Sequence, residues 1–176
     1  MAQFFLQIGS CPASSAMVME EERYAEALDT LVVACVDIAV LHKKSILLGR
    51  RSRHPYPDWW ILGGRMFRGE FFEDSARRIL RREGNLVIED KARFRRIGLA
   101  NFLWKERAQL PAENGSQQIS ITMLVKVDDG EVSQIEPDDE YTELRWVSTK
   151  DIKEGEFHRY MKECANIVEY LDIENN

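Results

Sequence analysis

The chain lacks the features that would direct it to a membrane or to an oxidising compartment. No apolar run approaches the roughly 20 residues that a bilayer-spanning helix needs. The segment 1–6 has neither a positively charged stretch nor a long apolar core, so we predict no secretory signal. The cysteines Cys11, Cys35 and Cys164 are odd in number and far apart, which predicts neither a disulfide framework nor a zinc ribbon. We therefore expect a cytoplasmic protein that neither spans nor binds a membrane.

A general excess of positive charge is also missing, because the formal net charge is −6 at pH 7. The positive residues are concentrated between positions 50 and 96, where 13 Lys and Arg residues stand against seven Asp and Glu residues. Nucleic-acid binding favours a basic domain, so this distribution argues against it. It is better suited to a local pocket for a small anion, although several of these arginines can also simply solvate a helix face.

The sequence shows no internal repeat, no low-complexity segment and no linker between domains. Its 176 residues suit one domain, and a content of 44% hydrophobic and 31% charged residues is ordinary for a globular protein. We predict a single domain over residues 18–172, with a flexible N-terminal tail at residues 1–17 and a C-terminal tail at residues 173–176.

The predicted elements place the chain in the α/β (α+β) class. Apolar periodicity predicts helices at residues 20–28, 71–83, 149–153 and about 156–170. Runs rich in β-branched and aromatic residues predict strands at residues 31–41, 45–48, 59–62, 94–104, 118–127 and 144–147. Strands therefore flank one central helix, and further helices lie towards the ends of the chain.

The central helix carries a carboxylate on its apolar face. At 100° per residue, that face contains Phe72, Ala76, Ile79 and Leu80, with Glu83 in its middle. A buried carboxylate at a helix C-terminus is costly unless a cation or hydrogen-bond donors satisfy it. A hard divalent cation is the natural candidate, and the alternative is that the helix frays at Gly84 and Glu83 turns into water. The arginines of the opposite, polar face are Arg77, Arg78, Arg81 and Arg82, and we expect the last two to lie in solvent.

The segment that contains this helix resembles the Nudix box. The residues at matching positions, without any insertion, are Gly64, Glu70, Arg78, Leu80, Glu83 and Leu86. The likeness covers about residues 31–169 and implies a Nudix fold, in which helices sandwich a mixed central β-sheet. Ile79 and Arg82 replace two acidic residues of the box, so Glu83 is the one helix carboxylate left of the three that usually gather metal.

Within the Nudix proteins, the chain is most similar to the GDP-mannose mannosyl hydrolases. The similar residues include Asp37, Arg51, Trp59, Arg65 and the run at positions 137–140, a proline followed by three acidic residues. This resemblance implies a Mg²⁺-dependent hydrolase of a nucleoside diphosphate sugar, which cleaves the sugar C–O bond and releases the nucleoside diphosphate. It also implies a homodimer.

The site residues carried over from this resemblance fall into three groups. The metal ligands would be Glu83, Glu140 and the carbonyl oxygen of Gly63, an arrangement that Mg²⁺ accepts because it often uses one or two carboxylates plus phosphate oxygens. The candidates for neutralising the diphosphate are Arg51, Arg65 and Arg78. For Arg78 the alternative is a salt bridge to Glu70, which together with Gly64 would maintain the structure of the box.

Catalytic roles are predicted for Asp37, Glu140 and Tyr141. Tyr141 stands where the mannosyl hydrolases have a catalytic histidine, and a tyrosine with its usual pKa of about 10 is a poor general base at neutral pH. Trp59, Trp60 and Trp104 are candidates for stacking on a nucleobase, with core packing as the alternative.

Three functions therefore stay open at the level of sequence. The first is the nucleotide-sugar hydrolase. The second is a catalytically impaired Nudix domain that binds a nucleotide diphosphate as a sensor or interaction module, and the third is a pyrophosphatase of the ADP-ribose type that cleaves the P–O–P bond. In each case the predicted partner is a nucleotide-sugar or nucleoside diphosphate small molecule.

Overall fold

The computed structural model describes Gly9, Cys11 and residues 19–137 and 141–173, without the side chains of residues 172 and 173. The predicted N-terminal tail lies outside the described residues apart from Gly9 and Cys11. The predicted C-terminal tail lies outside them apart from residue 173, which still belongs to the last helix. Glu140, predicted as a metal ligand and catalytic residue, also lies outside them.

The described residues form six strands and five α-helices. The strands are β1 (Val33–His42), β2 (Ser45–Arg51), β3 (Trp59–Arg65), β4 (Arg95–Trp104), β5 (Ser116–Lys126) and β6 (Tyr141–Ser148). The helices are α1 (Glu21–Thr30), α2 (Phe72–Gly84), α3 (Asp129–Val132), α4 (Thr149–Glu154) and α5 (Arg159–Ile173). Within the described ranges, every helix is too short or too polar to cross a membrane.

The strands make one mixed sheet in the order β4-β5-β1-β3-β2-β6. β1 and β5 run parallel, whereas the other neighbouring strands are antiparallel. Residues from Cys35 to Leu41 are buried on both faces of the sheet, which explains why β1 is an almost continuous apolar run. Asp37 interrupts that run at the centre of the sheet.

Two apolar layers cover the sheet, one on each face. The first packs α2 against β1, β3 and β5, and it contains Val36, Ile38, Leu62, Ile79, Leu80 and Met123. The second packs α4 and α5 on the other face, and it contains Ala39, Leu41, Ile46, Ile152, Ala165 and Val168. The predicted fold, a mixed sheet sandwiched between helices, is therefore confirmed.

Helix α2 has the apolar face that its periodicity predicts. Ala76, Ile79, Leu80 and Glu83 have no exposed surface. The helix ends at Gly84, after which Asn85 adopts a left-handed conformation with φ 50°. The backbone N–H groups of the two residues after Gly84 both donate to the carbonyl oxygen of Leu80, which closes the last turn. Fraying of the helix, the alternative that would have exposed Glu83, is therefore wrong.

Three strands, β2, β3 and β6, extend by at least three residues beyond their predicted bounds, and for β2 and β6 the difference matters for the site. β2 continues to Arg51 and β6 begins at Tyr141, and these two residues face each other in the sheet. After β5, Asp128 is the N-cap of the short helix α3. Asp128 and Glu131 form a reciprocal capping box there, in which each side chain accepts a hydrogen bond from the other residue's backbone N–H.

Candidate functional site

A cleft of about 570 Å³ opens beside the centre of the sheet. Strands β1 to β5, helix α1 and the loops that follow β2 and β4 all contribute to its lining. Among the described lining residues, the positively charged ones are Arg51, Arg53, Arg65, Arg82 and Arg107. The acidic one is Asp37. Among the residues that the structure describes, the lining of the cleft is therefore strongly electropositive, with Asp37 as its one carboxylate.

Asp37 is held in place at the bottom of this cleft. Its Oδ2 accepts hydrogen bonds from Ser120 Oγ at 2.6 Å and from Tyr160 OH at 3.1 Å. Gly63 faces it on β3, and a Cβ added there would lie 2.1 Å from Asp37 Oδ1, so only a glycine leaves room for the carboxylate. Burial raises the pKa of Asp37, although the hydrogen bonds from Ser120 and Tyr160 and the charge of Arg51 act in the opposite direction. A carboxylate of this kind in a cleft is a candidate proton acceptor.

Glu83 is fully buried, and among the described residues three groups donate hydrogen bonds to it. Its Oε2 accepts from Tyr141 OH at 2.8 Å and from the backbone N–H of Gly63 at 3.2 Å. Its Oε1 accepts from Nη2 of Arg82. The positive group that the sequence predicts beside Glu83 is therefore present as an arginine. The side chain of Arg82 is 48% exposed, as expected for the polar face, but its guanidinium also pairs with the buried carboxylate.

The position of Tyr141 depends on a glycine in the neighbouring strand. A Cβ added at Gly49 would lie 2.3 Å from the Tyr141 ring, so the absence of a side chain there lets the ring pack against β2. From this position the hydroxyl reaches Glu83. Tyr141 is 4% exposed, and its hydroxyl donates the hydrogen bond that orients Glu83.

These surroundings do not fit a divalent cation at Glu83. A metal ion needs oxygen lone pairs, whereas the three described groups that contact Glu83, the hydroxyl of Tyr141, the N–H of Gly63 and the guanidinium of Arg82, direct hydrogens towards it. Gly63 meets Glu83 through its N–H and not through the carbonyl oxygen predicted as a ligand. Across the described residues, no group of three or more His, Cys, Asp or Glu side chains could hold a metal ion.

Glu70 and Arg78 form the salt bridge that we predicted as the alternative role of Arg78. Nε of Arg78 lies 2.5 Å from Glu70 Oε1, and its Nη2 donates to Glu70 Oε2 and to the carbonyl oxygen of Arg65. Burial acts to raise the pKa of Glu70, but the hydrogen bonds from Arg78, Phe67 and Ser75 outweigh it, and the pKa is lowered. Arg78 is not among the residues that line the cleft.

The other two predicted diphosphate ligands, Arg51 and Arg65, do line the cleft. Arg51 stands at the end of β2, and its charge is close enough to oppose part of the rise that burial causes in the pKa of Asp37. The Arg65 guanidinium lies over the Tyr24 ring, 4.4 Å from its centre, in a cation–π contact that orients it.

Arg107 is a lining residue that the sequence gave no reason to select. It is 2% exposed, and its Nη1 donates to Asp29 Oδ1 at 2.7 Å and to the carbonyl oxygen of Gly115. Its Nη2 is buried without a hydrogen-bond partner among the described residues. Gly115 adopts φ 64°, which brings the loop between β4 and β5 back against Trp104 and places Arg107 at the cleft.

Aromatic rings form one side of the cleft. This aromatic wall consists of Tyr56, Trp60, Phe102 and Trp104. Phe102 and Trp104 are stacked with centroids 5.2 Å apart. Trp60 is stacked on Tyr160 of α5 and is 4% exposed, so it also belongs to the core. Trp59 does not line the cleft and instead lies under the guanidinium of Arg145 at 4.6 Å.

The NUDIX domain family matches residues 30–165 of the chain. Among curated proteins, no relative matches it. The solved structures with a similar fold include the MutT NUDIX hydrolase from Burkholderia pseudomallei, which is 18% identical with a TM-score of 0.62. That match covers 78% of this chain and 98% of the Burkholderia chain.

Two further similar structures contain ligands. The NUDIX domain of Shewanella oneidensis NrtR, complexed with ADP ribose, is 13% identical with a TM-score of 0.60, covering 86% of this chain and 98% of that chain. A bifunctional NMN adenylyltransferase/ADP ribose pyrophosphatase from Francisella tularensis, complexed with AMP and a Mn ion, is 22% identical with a TM-score of 0.55. The match covers 76% of this chain and 39% of the Francisella chain. At these identities the similarity supports the fold, and the ligands are those of the other proteins.

Proposed function

The chain belongs to the NUDIX domain family, and we propose that it hydrolyses a nucleoside diphosphate sugar at the C–O bond between the sugar and the diphosphate. The observation that supports this most is Asp37, a buried carboxylate with a raised pKa in an arginine-lined cleft. The resemblance to the GDP-mannose mannosyl hydrolases favours the same reaction and suggests GDP-mannose as the first substrate to test.

The diphosphate group of the substrate would bind to the arginines of the cleft. Arg51 and Arg65 are the predicted ligands, and Arg53 and Arg107 extend the positive lining. Guanidinium groups present several donors in a fixed plane, which suits the oxygens of a diphosphate better than the point charge of lysine. Arg107 is fixed before binding by Asp29, so it would lose little conformational freedom when a ligand arrives.

Asp37 would act as the general base. Its raised pKa makes it a stronger proton acceptor than an ordinary carboxylate, as long as it is ionised at the working pH. It would remove a proton from a water whose oxygen attacks the anomeric carbon, and the nucleoside diphosphate would leave. Tyr141 is better suited to orienting Glu83 than to accepting a proton, because its hydroxyl already donates to that carboxylate. For Glu140 the roles of metal ligand and base stay predictions.

The aromatic wall is suited to the nucleobase. A nucleobase can stack on exposed ring faces, and Trp104 and Tyr56 are more accessible than Trp60, which is 4% exposed. The distance between a base on this wall and the arginines then decides which nucleotides fit. We therefore expect preference among nucleotide sugars to depend on Tyr56 and Trp104.

A second candidate is a domain that binds a nucleotide diphosphate without hydrolysing it. The contact between Arg82 and Glu83 favours it, because the one remaining helix carboxylate of the box is already satisfied. Cleavage of a P–O–P bond, the third candidate, has less support. The box has acidic residues at two positions that are occupied here by Ile79, which is buried in the core, and by Arg82.

The test is to incubate the purified chain with GDP-mannose, UDP-glucose and ADP-ribose, each with Mg²⁺ and with EDTA, and to separate the products. Free sugar with nucleoside diphosphate supports the proposal. Sugar phosphate with nucleoside monophosphate would instead indicate P–O–P cleavage. Saturable binding without turnover would indicate the binding domain. The rates with Mg²⁺ and with EDTA are compared to test the Mg²⁺ requirement that the resemblance implies.

Asp37→Asn tests the proposed base, and Asp58→Asn is the matched control. Asp58 is exposed and does not line the cleft, although it is only two positions away in sequence from the lining residues Tyr56 and Trp60. We expect Asp37→Asn to lower kcat by a factor of about 100 or more while KM changes little, as for the loss of a general base. Asp58→Asn should keep the activity of the unmodified protein. Equal kcat values for both variants would rule out Asp37 as the base.

The homodimer and the cytoplasmic location are predictions that rest on the sequence. Light scattering of the purified chain during size-exclusion chromatography would measure its mass in solution. A mass near 41 kDa would be that of a dimer, because one chain has a mass of 20.5 kDa.

A further inference from the structure

The positive partner of the buried carboxylate of Glu83 is the neighbouring residue Arg82. Glu83 is fully buried at the C-terminal end of α2, where the helix dipole disfavours negative charge. Such a carboxylate needs a positive partner, and the Nη2 of Arg82 is in contact with its Oε1. Tyr141 and the backbone N–H of Gly63 also donate hydrogen bonds to Glu83.

Arg82 reaches the cleft, whereas Glu83 does not. Arg82 is among the residues that line the cleft, and its side chain is 48% exposed. A Cβ added at Gly64 would lie 3.6 Å from Arg82 Nη2 and 3.7 Å from Glu83 Oε1, so the ion pair lies over the backbone of this glycine. An arginine has five N–H donors, so the guanidinium that satisfies Glu83 can also contact a bound phosphate.

A divalent cation at the same place would have to displace this arrangement. Glu83 would lose its ion pair with Arg82, and the metal ion would then lie next to the positive charge of that arginine. Positive charge for a diphosphate is available without it, because Arg51, Arg53, Arg65 and Arg107 also line the cleft, and Asp37 is the one acidic residue among the described lining residues.

We propose that Arg82 takes the place of a divalent cation at Glu83 and that the cleft binds a diphosphate group without a metal ion. The choice of a diphosphate as ligand rests on the proposed function, whereas the replacement of the metal by Arg82 rests on the geometry at Glu83. The two parts can therefore fail separately.

The replacement of the metal is tested by titrating Mn²⁺ into the protein and measuring free Mn²⁺ by electron paramagnetic resonance. The unmodified chain should not bind Mn²⁺ at millimolar concentration. Arg82→Ala leaves Glu83 without its cation, so this variant should bind Mn²⁺ with an affinity raised by roughly tenfold or more. Mn²⁺ should then raise the Tm of Arg82→Ala and leave that of the unmodified chain unchanged. Adding Glu83→Gln to Arg82→Ala should abolish the gained binding.

Arg81→Ala is the matched control for the loss of an arginine from the same helix. Arg81 pairs with Glu89 on the outer surface and does not line the cleft. This variant should behave like the unmodified chain in the Mn²⁺ titration. If Arg82→Ala fails to fold, Arg82→Gln, which keeps a donor for Glu83, replaces it in the same measurements.

The second measurement is the affinity for GDP by calorimetry, in EDTA and in Mg²⁺. The unmodified chain should bind GDP equally well in both, whereas Arg82→Ala should bind it roughly tenfold more weakly in EDTA. Tight Mn²⁺ binding by the unmodified chain, or GDP binding that disappears in EDTA, would overturn the proposal. If GDP and the nucleotide sugars do not bind under any condition, the proposed function fails, and the Mn²⁺ titration still decides the role of Arg82.

Discussion

Replacing Gly63 by alanine should test how tightly the sheet is built around Asp37. The added Cβ would lie 2.1 Å from Asp37 Oδ1, which is 1.3 Å closer than the 3.4 Å at which ordinary contacts begin. The carboxylate cannot move away easily, because Ser120 and Tyr160 hold its other oxygen. We expect Gly63→Ala to lower the free energy of unfolding by about 3 kcal/mol, the upper end of the usual cost of overpacking a core.

The same substitution should cost much less when Asp37 is replaced by alanine. The carboxylate oxygen is then absent, and the closest remaining contact of the new Cβ is the Asp37 Cα at 3.2 Å. This distance requires a shift of only a few tenths of an ångström, so we expect a loss of about 1 kcal/mol. The coupling between the two positions would then be about 2 kcal/mol, within the range for residues in direct contact.

The four proteins of this double-mutant cycle can be compared by urea unfolding at 25 °C, followed by tryptophan fluorescence. Gly64→Ala is the matched control, because the nearest atoms to a Cβ at that position are 3.6 Å away or more. It should change the free energy of unfolding by less than about 1 kcal/mol. If Gly63→Ala were equally destabilising with and without the Asp37 carboxylate, the argument that this glycine makes room for it would be refuted.

Three more predictions concern the buried polar groups. Tyr141→Phe removes a donor from the buried carboxylate of Glu83 and should lower the free energy of unfolding by about 2 kcal/mol in urea unfolding; a loss below about 0.5 kcal/mol would contradict this role. The pKa of Asp37 is raised in the folded protein. The stability that the protonated Asp37 carboxyl contributes is therefore lost as pH rises from about 4, where this group ionises in the unfolded chain, through its pKa in the folded chain. Asp37→Asn has no group that ionises at this position, so its urea midpoint minus that of the unmodified chain should increase with pH. A difference that stays constant with pH would contradict the raised pKa of Asp37. Asp29→Ala should destabilise more than Arg107→Met, because the first leaves a buried guanidinium without its carboxylate whereas the second also removes the charge; the reverse order of thermal midpoints would disprove the argument.

The elements that depend on local periodicity could be predicted from the sequence. The buried run of β1 and the apolar face of α2 follow from residue spacing alone, and both match the structure. The positions of Asp37 and Glu83 follow as well, because each is a single charged residue on an otherwise apolar face. Their burial makes them candidates for a site without any knowledge of the residues around them.

The partners of these carboxylates could not be predicted in the same way. Ser120 and Tyr160 reach Asp37 from positions 83 and 123 residues away in sequence. Arg107 lies in an irregular loop, and only the left-handed Gly115 together with the contact to Asp29 brings it to the cleft. Interactions of this kind depend on tertiary packing, which single-sequence patterns do not contain.

Arg82 shows why the angular position of a residue on a helix can mislead. It is one residue before Glu83 and therefore about 100° away around the helix, which is why periodicity assigns it to the polar face. The end of the helix changes this outcome. Helix α2 ends at Gly84, so no further turn crowds the space beside Glu83. The long arginine side chain can then fold back so that its charged end meets the carboxylate while half of its surface stays exposed. A shorter residue at position 82 could not do this, and Glu83 would then need a cation from solution.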